Sequence, residues 1–543
     1  MALTPLGESL DLALEARLDE SAARLAGQLA LTSDGGMRAR LYSISALAAA
    51  LGGRYAAARR GVEAARTSAV DPDSAAWVAA ITTFVSCVTP PVEGFAPAEC
   101  PDIDGLGDED AALAGYIAVE ASMSAGRLVD AERLALAYLD RELAASVQAP
   151  VFTAIALARS LVFQGRLADA AAAAARADTA AQAHGGYPAR MLAAATSAYI
   201  AAQYDDGAET ERLTALVVAL DPDPSSYITV GSHILCAYGL AAVGRTMQAA
   251  RMVLHAGGGN ALPRLQTVDR AYAYELLATD AIERDDLAAA RAWGRRAAPL
   301  AIHDMAAAAV ERTLSRIDTA MGRNASGAER AAVSGARALV AGGRLDAARS
   351  LVLEASALAA TGARHAALAG LRGAALEAES LGAIAVRSWS ARELRRLGRR
   401  LRPANGAGWG VLSPREQQVA LLAAEGYSNR MIGQALFLSE RTVQSHLSRA
   451  LAALGVSSRA SLPASLGRER GSTDQLAGLT FRQQQVATLV AEGCSNREIS
   501  AQLGISDKTV EKHVQAIFGR WQLSSRTGIA NRVLAPLPRD RSA

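Results

Sequence analysis

LSPREQQVALLAAEGYSNRMIGQALFLSERTVQSHLSRALAALGVSSRASL, residues 412–462, returns in altered form as LTFRQQQVATLVAEGCSNREISAQLGISDKTVEKHVQAIFGRWQLSSRTGI, residues 479–529. The stretches align without a gap at an offset of 67 residues, with about 22 identities over some 51 positions, so one module occurs twice.

Each copy spells out three helices. Ser413, followed by Pro414 and, three residues on, Glu416, is a capping box with a pre-set φ; Thr480 and Gln483 repeat it with Phe481 replacing the proline. Val419, Leu422 and Ala423, like Val486, Leu489 and Val490, mark the inward face, and Gly426 or Gly493 stops the helix. Ser428 or Ser495 caps a second, short helix carrying Ile432 and Leu436, or Ile499 and Leu503, and Ser495 with Glu498 forms another box. After the turn LFLS or LGIS, Ser439 or Ser506 caps a third helix. Its inward face is Val443, Leu447, Ala450, Leu451 and Leu454, or Val510, Val514, Ile517, Phe518 and Trp521, and its other face is polar. Two helices at an angle across a tight turn, the second showing a polar face, form the geometry that sets a recognition helix in a DNA major groove.

On these residues each copy resembles the LuxR-type (GerE-like) DNA-binding domain, with the pattern L-[ST]-P-R-E…EG-x-[ST]-N-[KR]-x-I-A…L-x-[IL]-S-x-[KR]-T-V-x-x-H…L-x-V-x-[ST]-R nearly complete in the first copy. The resemblance implies phosphate contacts from Arg430, Arg441 and Thr442 in the first copy and Arg497, Lys508 and Thr509 in the second. It implies base-edge readers at Gln444, Ser445 and Ser448, and at Glu511, Lys512 and Gln515. Gln suits adenine, Lys guanine and Glu cytosine N4, so the two copies should prefer different half-sites. Each reader has the alternative of being a solvated helix position, and His446 and His513 are expected to pack within the module rather than titrate as switches. A fourth helix, which commonly supports dimerisation in the family, should be cut short by Pro463 in the first copy, whereas the second keeps a longer run before Pro536. The span Pro463–Gly478 reaches about 50 Å when extended, more than the roughly 34 Å between half-sites one turn apart, so the tandem is expected to act as an intramolecular pseudo-dimer.

Upstream, a loose phrase recurs: GRYAAA at Gly53, GRLVDA at Gly126, GRLADA at Gly165, GRTMQA at Gly244, DDLAAA at Asp285 and GRLDAA at Gly343. It reads as a helix-ending residue, an apolar anchor and a small residue on the next helix. The shorter intervals lie near 40 residues and two of the longer ones near twice that, which predicts helical hairpins stacked as an α-solenoid, with some members too degraded to recognise. The phrase is similar to the G-x-[YL]-x-x-A junction of tetratricopeptide repeats, although the Trp, Tyr and Pro signposts of that family are mostly absent. An irregular all-helical domain is the alternative.

The expected division is a tetratricopeptide-like region over 1–386, a basic linker or capping helix over 387–409, helix-turn-helix modules over 410–463 and 477–535, a linker over 464–476 and a tail over 536–543. Within the first region, the four prolines of residues 88–108 read as a surface loop. Seven Arg face one Glu in RSWSARELRRLGRRLRP, residues 387–403, where Trp389, Leu394, Leu397 and Leu401 make a helical stripe. That segment is either a capping helix with a solvated basic face or a phosphate-contacting extension.

The composition agrees. Of 543 residues 51% are apolar but only 4% aromatic, so small side chains at close helix spacing must fill the core. The net charge of +2 conceals a division: from Arg387 onward 21 Arg and 2 Lys face 11 acids, or +12, leaving −10 for residues 1–386. A basic third suits a polyanion. Lys508 and Lys512 are the chain's lysines, so a P-loop, a receiver-domain lysine and a Schiff-base lysine are lacking outside that helix. Cys87, Cys100, Cys236 and Cys494 have neither zinc nor disulfide spacing, and the N-terminal histidines are scattered, so no catalytic residue, cofactor or metal is expected. The start lacks a signal-peptide pattern, and Ser74–Val92 and Ser225–Gly244 are too polar for membrane spans, so a cytoplasmic protein is expected.

The resulting expectation is a transcription regulator of the LuxR family, all-α, with a helical-repeat sensor region and two heads on double-stranded DNA. RNA polymerase and an effector protein or small molecule are its expected further partners. The alternative is an interaction adaptor that uses the solenoid, with weak or accessory DNA binding.

Overall fold

The computed structural model describes residues 5–88, 108–140, 146–399, 401, 412–424, 426–436, 438–454, 459, 462, 479, 481–491, 495–503, 506–521, 523 and 529. Among these residues the regular elements are 26 α-helices and one 3-10 turn, with no strand. The chain divides into two compact units, Met1–Leu401 and Arg402–Ala543.

The first unit starts with α1 (Pro5–Leu14), α2 (Leu18–Leu31), α3 (Gly35–Leu51), α4 (Tyr55–Ser68), α5 (Pro72–Val88), α6 (Asp108–Ser124) and α7 (Leu128–Leu139). Helical hairpins follow: α8 (Gln148–Phe163) with α9 (Leu167–His184), α10 (Tyr187–Gln203) with α11 (Gly207–Leu220), and α12 (Tyr227–Ala242) with α13 (Thr246–Gly257). Next come α14 (Thr267–Glu283) with α15 (Leu287–Ala297), α16 (Asp304–Ala320) with α17 (Asn324–Val340), α18 (Arg344–Ala360) with α19 (Arg364–Leu381), and α20 (Ile384–Arg396).

The recurring phrase is the helix-ending turn of these hairpins. At Gly165 the backbone is left-handed (φ +80°), its N–H bonds Val162 O at 3.0 Å, and Arg166 N–H reaches Leu161 O at 2.9 Å. This is the Schellman closure, which uses carbonyls a helix end would otherwise leave unpaired. The same bonds recur at Asp205, between the phrases at Gly165 and Gly244, and at Gly322, between those at Asp285 and Gly343. Sequence misses Asp205 because DDGAET, residues 205–210, has neither the leading glycine nor the apolar anchor and small residue that mark the phrase; the strained φ of +60° there is tolerated by Asp. At the last phrase the left-handed residue is Gly342, one position before the glycine that opens it, and from Gly322 to Gly398 such a turn ends every helix of the first unit.

Packing explains the alanine. The first helix of each hairpin is the more buried, most of all in α10: Tyr187–Gln203 buries fourteen of its seventeen residues, whereas Gly207–Leu220 buries four of fourteen. Inner helices therefore need small side chains on several faces. The array also meets itself, for Arg349 on α18 bonds Tyr199 and Gln203 on α10. The basic segment after Val386 runs on within α20, where Leu394 is buried and Trp389, Leu397 and Leu401 pack on the core although the helix ends at Arg396. No described helix is long and apolar enough to cross a membrane. The proposed surface loop at 88–108 lies outside the described residues, Val88 and Asp108 apart.

The second unit holds α21 (Pro414–Ala424), α22 (Asn429–Leu436) and α23 (Glu440–Ala453), then α24 (Phe481–Ala491), α25 (Asn496–Leu503) and α26 (Asp507–Trp521). Each trio has its own core. Val419, Ile432, Val443, Leu447 and Leu462 close the first, and Val486, Ile499, Val510, Val514 and Ile529 the second. Equivalent inward positions fill equivalent cores.

Candidate nucleic-acid interface

The caps that set the helices in place form largely as the residues dictate. Ser413 N–H donates to Glu416 Oε2 at 3.1 Å, and Glu416 N–H returns to Ser413 Oγ at 3.2 Å. Ser495 and Glu498 form the reciprocal pair at 2.7 and 3.3 Å. Ser428 accepts from Met431 N–H, Ser439 from Thr442 N–H and Ser506 from Thr509 N–H. The Thr480 cap, Gly493, the Pro463–Gly478 span and the runs for a fourth helix lie outside the described residues, apart from isolated positions such as Leu462 and Ile529.

A pair of arginines that sequence reading passed over fixes the turn. Arg415 on α21 donates through Nη2 to Leu436 O at the end of α22, and Arg482 on α24 donates to Leu503 O at 2.5 Å. Each guanidinium satisfies a carbonyl that the end of a scaffold helix leaves open, and so holds that helix ahead of the turn. Their retention in both copies was the available signal.

The third helices, α23 and α26, present the expected polar face. Gln444, Ser445 and Ser448 are exposed on α23, and Glu511, Lys512 and Gln515 on α26. Arg430 and Arg497 are exposed at the starts of α22 and α25, and Arg441 and Lys508 at the N-termini of α23 and α26, with Thr442 and Thr509 half-buried in the caps. None of these four cations is in an ion pair with a described residue. The other arginines of the first copy are engaged inside it: Arg415 at the turn, Arg449 with Nε 3.2 Å from Glu416 Oε1, and Arg459 donating to Asn429 Oδ1 at 3.0 Å.

That last bond continues onto the reading face. Asn429 Nδ2 donates to Gln444 Oε1 at 2.6 Å, so Gln444 is held by a chain running back to Arg459 and keeps its Nε2 as a donor. The second copy has Glu511 at the equivalent place, an acceptor. One position therefore offers opposite hydrogen-bonding character in the two heads. His446 is buried, its Nδ1 3.2 Å from Arg449 Nη2. Burial, helped by Arg482 and Lys512, pushes the His513 pKa down, which keeps that imidazole neutral at pH 7.

Comparison with known proteins agrees with this geometry. The family described as bacterial regulatory proteins, luxR family (GerE), matches residues 410–464 and 477–533. An HTH-type transcriptional regulator of Mycobacterium tuberculosis is 49% identical over 75 residues, which are 14% of this chain and 8% of that protein. The transcriptional regulatory protein DegU of Brevibacillus brevis is 49% identical over 49 residues, 9% of this chain and 21% of that protein. The monoamine regulon transcriptional regulator of Klebsiella aerogenes is 36% identical over 63 residues, 12% of this chain and 28% of that protein. The chain thus spans less than a third of the length of each of these relatives. Residues 410–464 and 477–533 are two LuxR-family helix-turn-helix domains carried in tandem on one chain.

Proposed function

We propose that this chain is a sequence-specific transcription regulator whose two heads read one asymmetric promoter site. The observation that carries the reading is the pair of equivalent third helices, each with a polar outer face and with exposed cations at its own start and at that of the preceding helix that make no ion pair with a described residue, while neighbouring arginines are engaged within the fold. Arg430, Arg441, Arg497 and Lys508, with Thr442 and Thr509, serve as phosphate contacts. Gln444, Ser445 and Ser448 read one half-site, and Glu511, Lys512 and Gln515 the other. With its Oε1 held by Asn429, Gln444 reads an acceptor on a purine or on thymine O4; Glu511 accepts from cytosine N4 or adenine N6, and Lys512 donates to guanine. The array receives an effector, and bound heads meet RNA polymerase.

Salt dependence distinguishes one engaged head from two. Two cations per head give a slope of log affinity against log salt of about −1.8, and four give about −3.6. Binding to a selected site with a slope near −3.6, falling by about 0.9 in Lys508→Ala, is expected. Site selection with Gln444→Ala and Lys512→Ala should relax preference in different halves of the site, by about 1–3 kcal/mol per base pair. Preferences unchanged in both variants, or a footprint one half-site long, would overturn the reading.

A further inference from the structure

The inner helices α10, α12, α14, α16, α18 and α20 all contribute side chains to one cavity of about 580 Å3 in the helical array. Its wall departs from the alanine-rich packing around it, with Tyr238, Tyr272, Trp389, Glu275, Arg316 and Arg349 among its residues.

Charge is unevenly shared there. Arg312, behind the wall and 1% exposed, donates through Nε to both oxygens of Glu275 at 3.0 and 2.9 Å, and its Nη2 lies 3.3 Å from Asp346 Oδ2. Asp346 also accepts from Arg349 Nη1 at 3.0 Å and from the Tyr272 hydroxyl. Arg349 is further occupied by the Tyr199 hydroxyl oxygen at 3.2 Å and Gln203 Oε1 at 3.0 Å. Three guanidiniums thus share two carboxylates. The one left over is Arg316, whose Nε is 3.5 Å from Glu275 Oε1, too far for a good hydrogen bond to a carboxylate already serving Arg312. Its guanidinium lies over the Trp389 ring, 5.2 Å from the centroid. The remaining charged residues of the wall, Arg392 and Arg396 against Glu283 and Glu393, cancel, so the lining is one positive charge in excess. Burial lowers the Arg316 pKa by more than Glu275 restores, in line with an under-compensated cation.

We propose that this cavity binds a small monocarboxylate with a planar apolar body, its carboxylate on Arg316 and its body against Tyr238, Leu276 and Leu353. The volume suits a ligand of that size. A dianionic phosphate exceeds the single available charge and would bury an unpaired negative one. The proposal deepens the reading of the array as effector-receiving and rests on it, but binding is measurable without DNA.

The full chain is dialysed against naphthalene-2-carboxylate and its neutral amide. Saturable binding of the acid at least tenfold tighter than the amide is expected, reduced at least tenfold in Arg316→Gln. Arg212→Gln, on the outer helix α11 away from the cavity and with its side chain 60% exposed, stays within about threefold. Leu353→Trp, which fills the cavity and leaves the ion network in place, should abolish binding at unchanged helical content. Equal binding of acid and amide, no binding of either, or wild-type binding by both Arg316→Gln and Leu353→Trp overturns the site. DNA affinity with and without the acid then tests the effector reading separately: bound acid with unchanged DNA affinity overturns that reading and leaves the site standing.

Discussion

The two heads hold natural versions of one buried contact, and exchanging them gives a sharp test of what stabilises each head. In the first, Glu416 is 1% exposed, its Oε2 accepts the Ser413 N–H, and its Oε1 lies 3.2 Å from Arg449 Nε. In the second, Gln483 stands in place of Glu416 and Ala516 in place of Arg449, so acid and base are replaced together. Arg449→Ala in the first head leaves a buried carboxylate without its cation. Breaking a fully buried pair costs about 3–5 kcal/mol. The Arg449 side chain is 26% exposed, so water replaces part of the contact, and about 2 kcal/mol is expected. That corresponds to a roughly 30-fold rise in the opening equilibrium. The double change Glu416→Gln with Arg449→Ala installs the pair of the second head, removes the orphaned charge and should cost no more than about 1 kcal/mol. Amide hydrogen exchange along α21 and α23 in the full chain reads both values, with Arg441→Ala as a surface control inside about 0.5 kcal/mol of wild type. A single variant within that same margin, or a double variant as unstable as the single, refutes the reasoning.

Two further outcomes follow from buried polar contacts. Arg415→Ala or Arg482→Ala removes the guanidinium from Leu436 O or Leu503 O and should destabilise the affected head by about 1.5–3 kcal/mol. DNA affinity should fall with the salt slope unchanged; a slope lowered by about 0.9 would show a phosphate contact instead. In the array, burial raises the Asp269 pKa to about 6, a rise that the bond from Gln266 Nε2 at 2.9 Å only partly opposes. Because the folded pKa is above the usual value near 3.8, this carboxyl's stabilising contribution is full below about pH 4 and is lost as pH rises through 6. Asp269→Asn should therefore gain on wild type by about 1–2 kcal/mol between pH 5 and 7.5 in urea unfolding. A gap between the two that is constant or shrinks over that range contradicts the assignment.

Much of each head was legible because its determinants are local. A serine and a glutamate three residues apart cap a helix whatever packs on it, and the i, i+3, i+4 spacing of Val419, Leu422 and Ala423 assigns an inward face before any partner is known. The array was legible at its glycine turns and at Asp285, where an apolar anchor and alanines follow, and was lost at Asp205, where a polar residue takes the left-handed conformation with neither glycine nor anchor to mark it. Its closure of α18 on α10 was not legible, since the bond from Arg349 to Tyr199 joins residues 150 positions apart.

Sequence by itself determined that two heads exist, where their helices begin, which faces turn inward and that the basic charge lies with them. Tertiary structure decided which arginines are spent. Arg415, Arg449 and Arg459 look no different in sequence from Arg430 and Arg441, yet the first three meet a carbonyl, a carboxylate and an amide inside the fold while the other two stay exposed. The same holds for Arg312, Arg316 and Arg349 around the cavity, where only packing shows three cations sharing two acids. Periodicity fixes the direction of a side chain from its own helix, whereas the satisfaction of its charge depends on groups brought from distant positions, and that information exists only once the helices have packed.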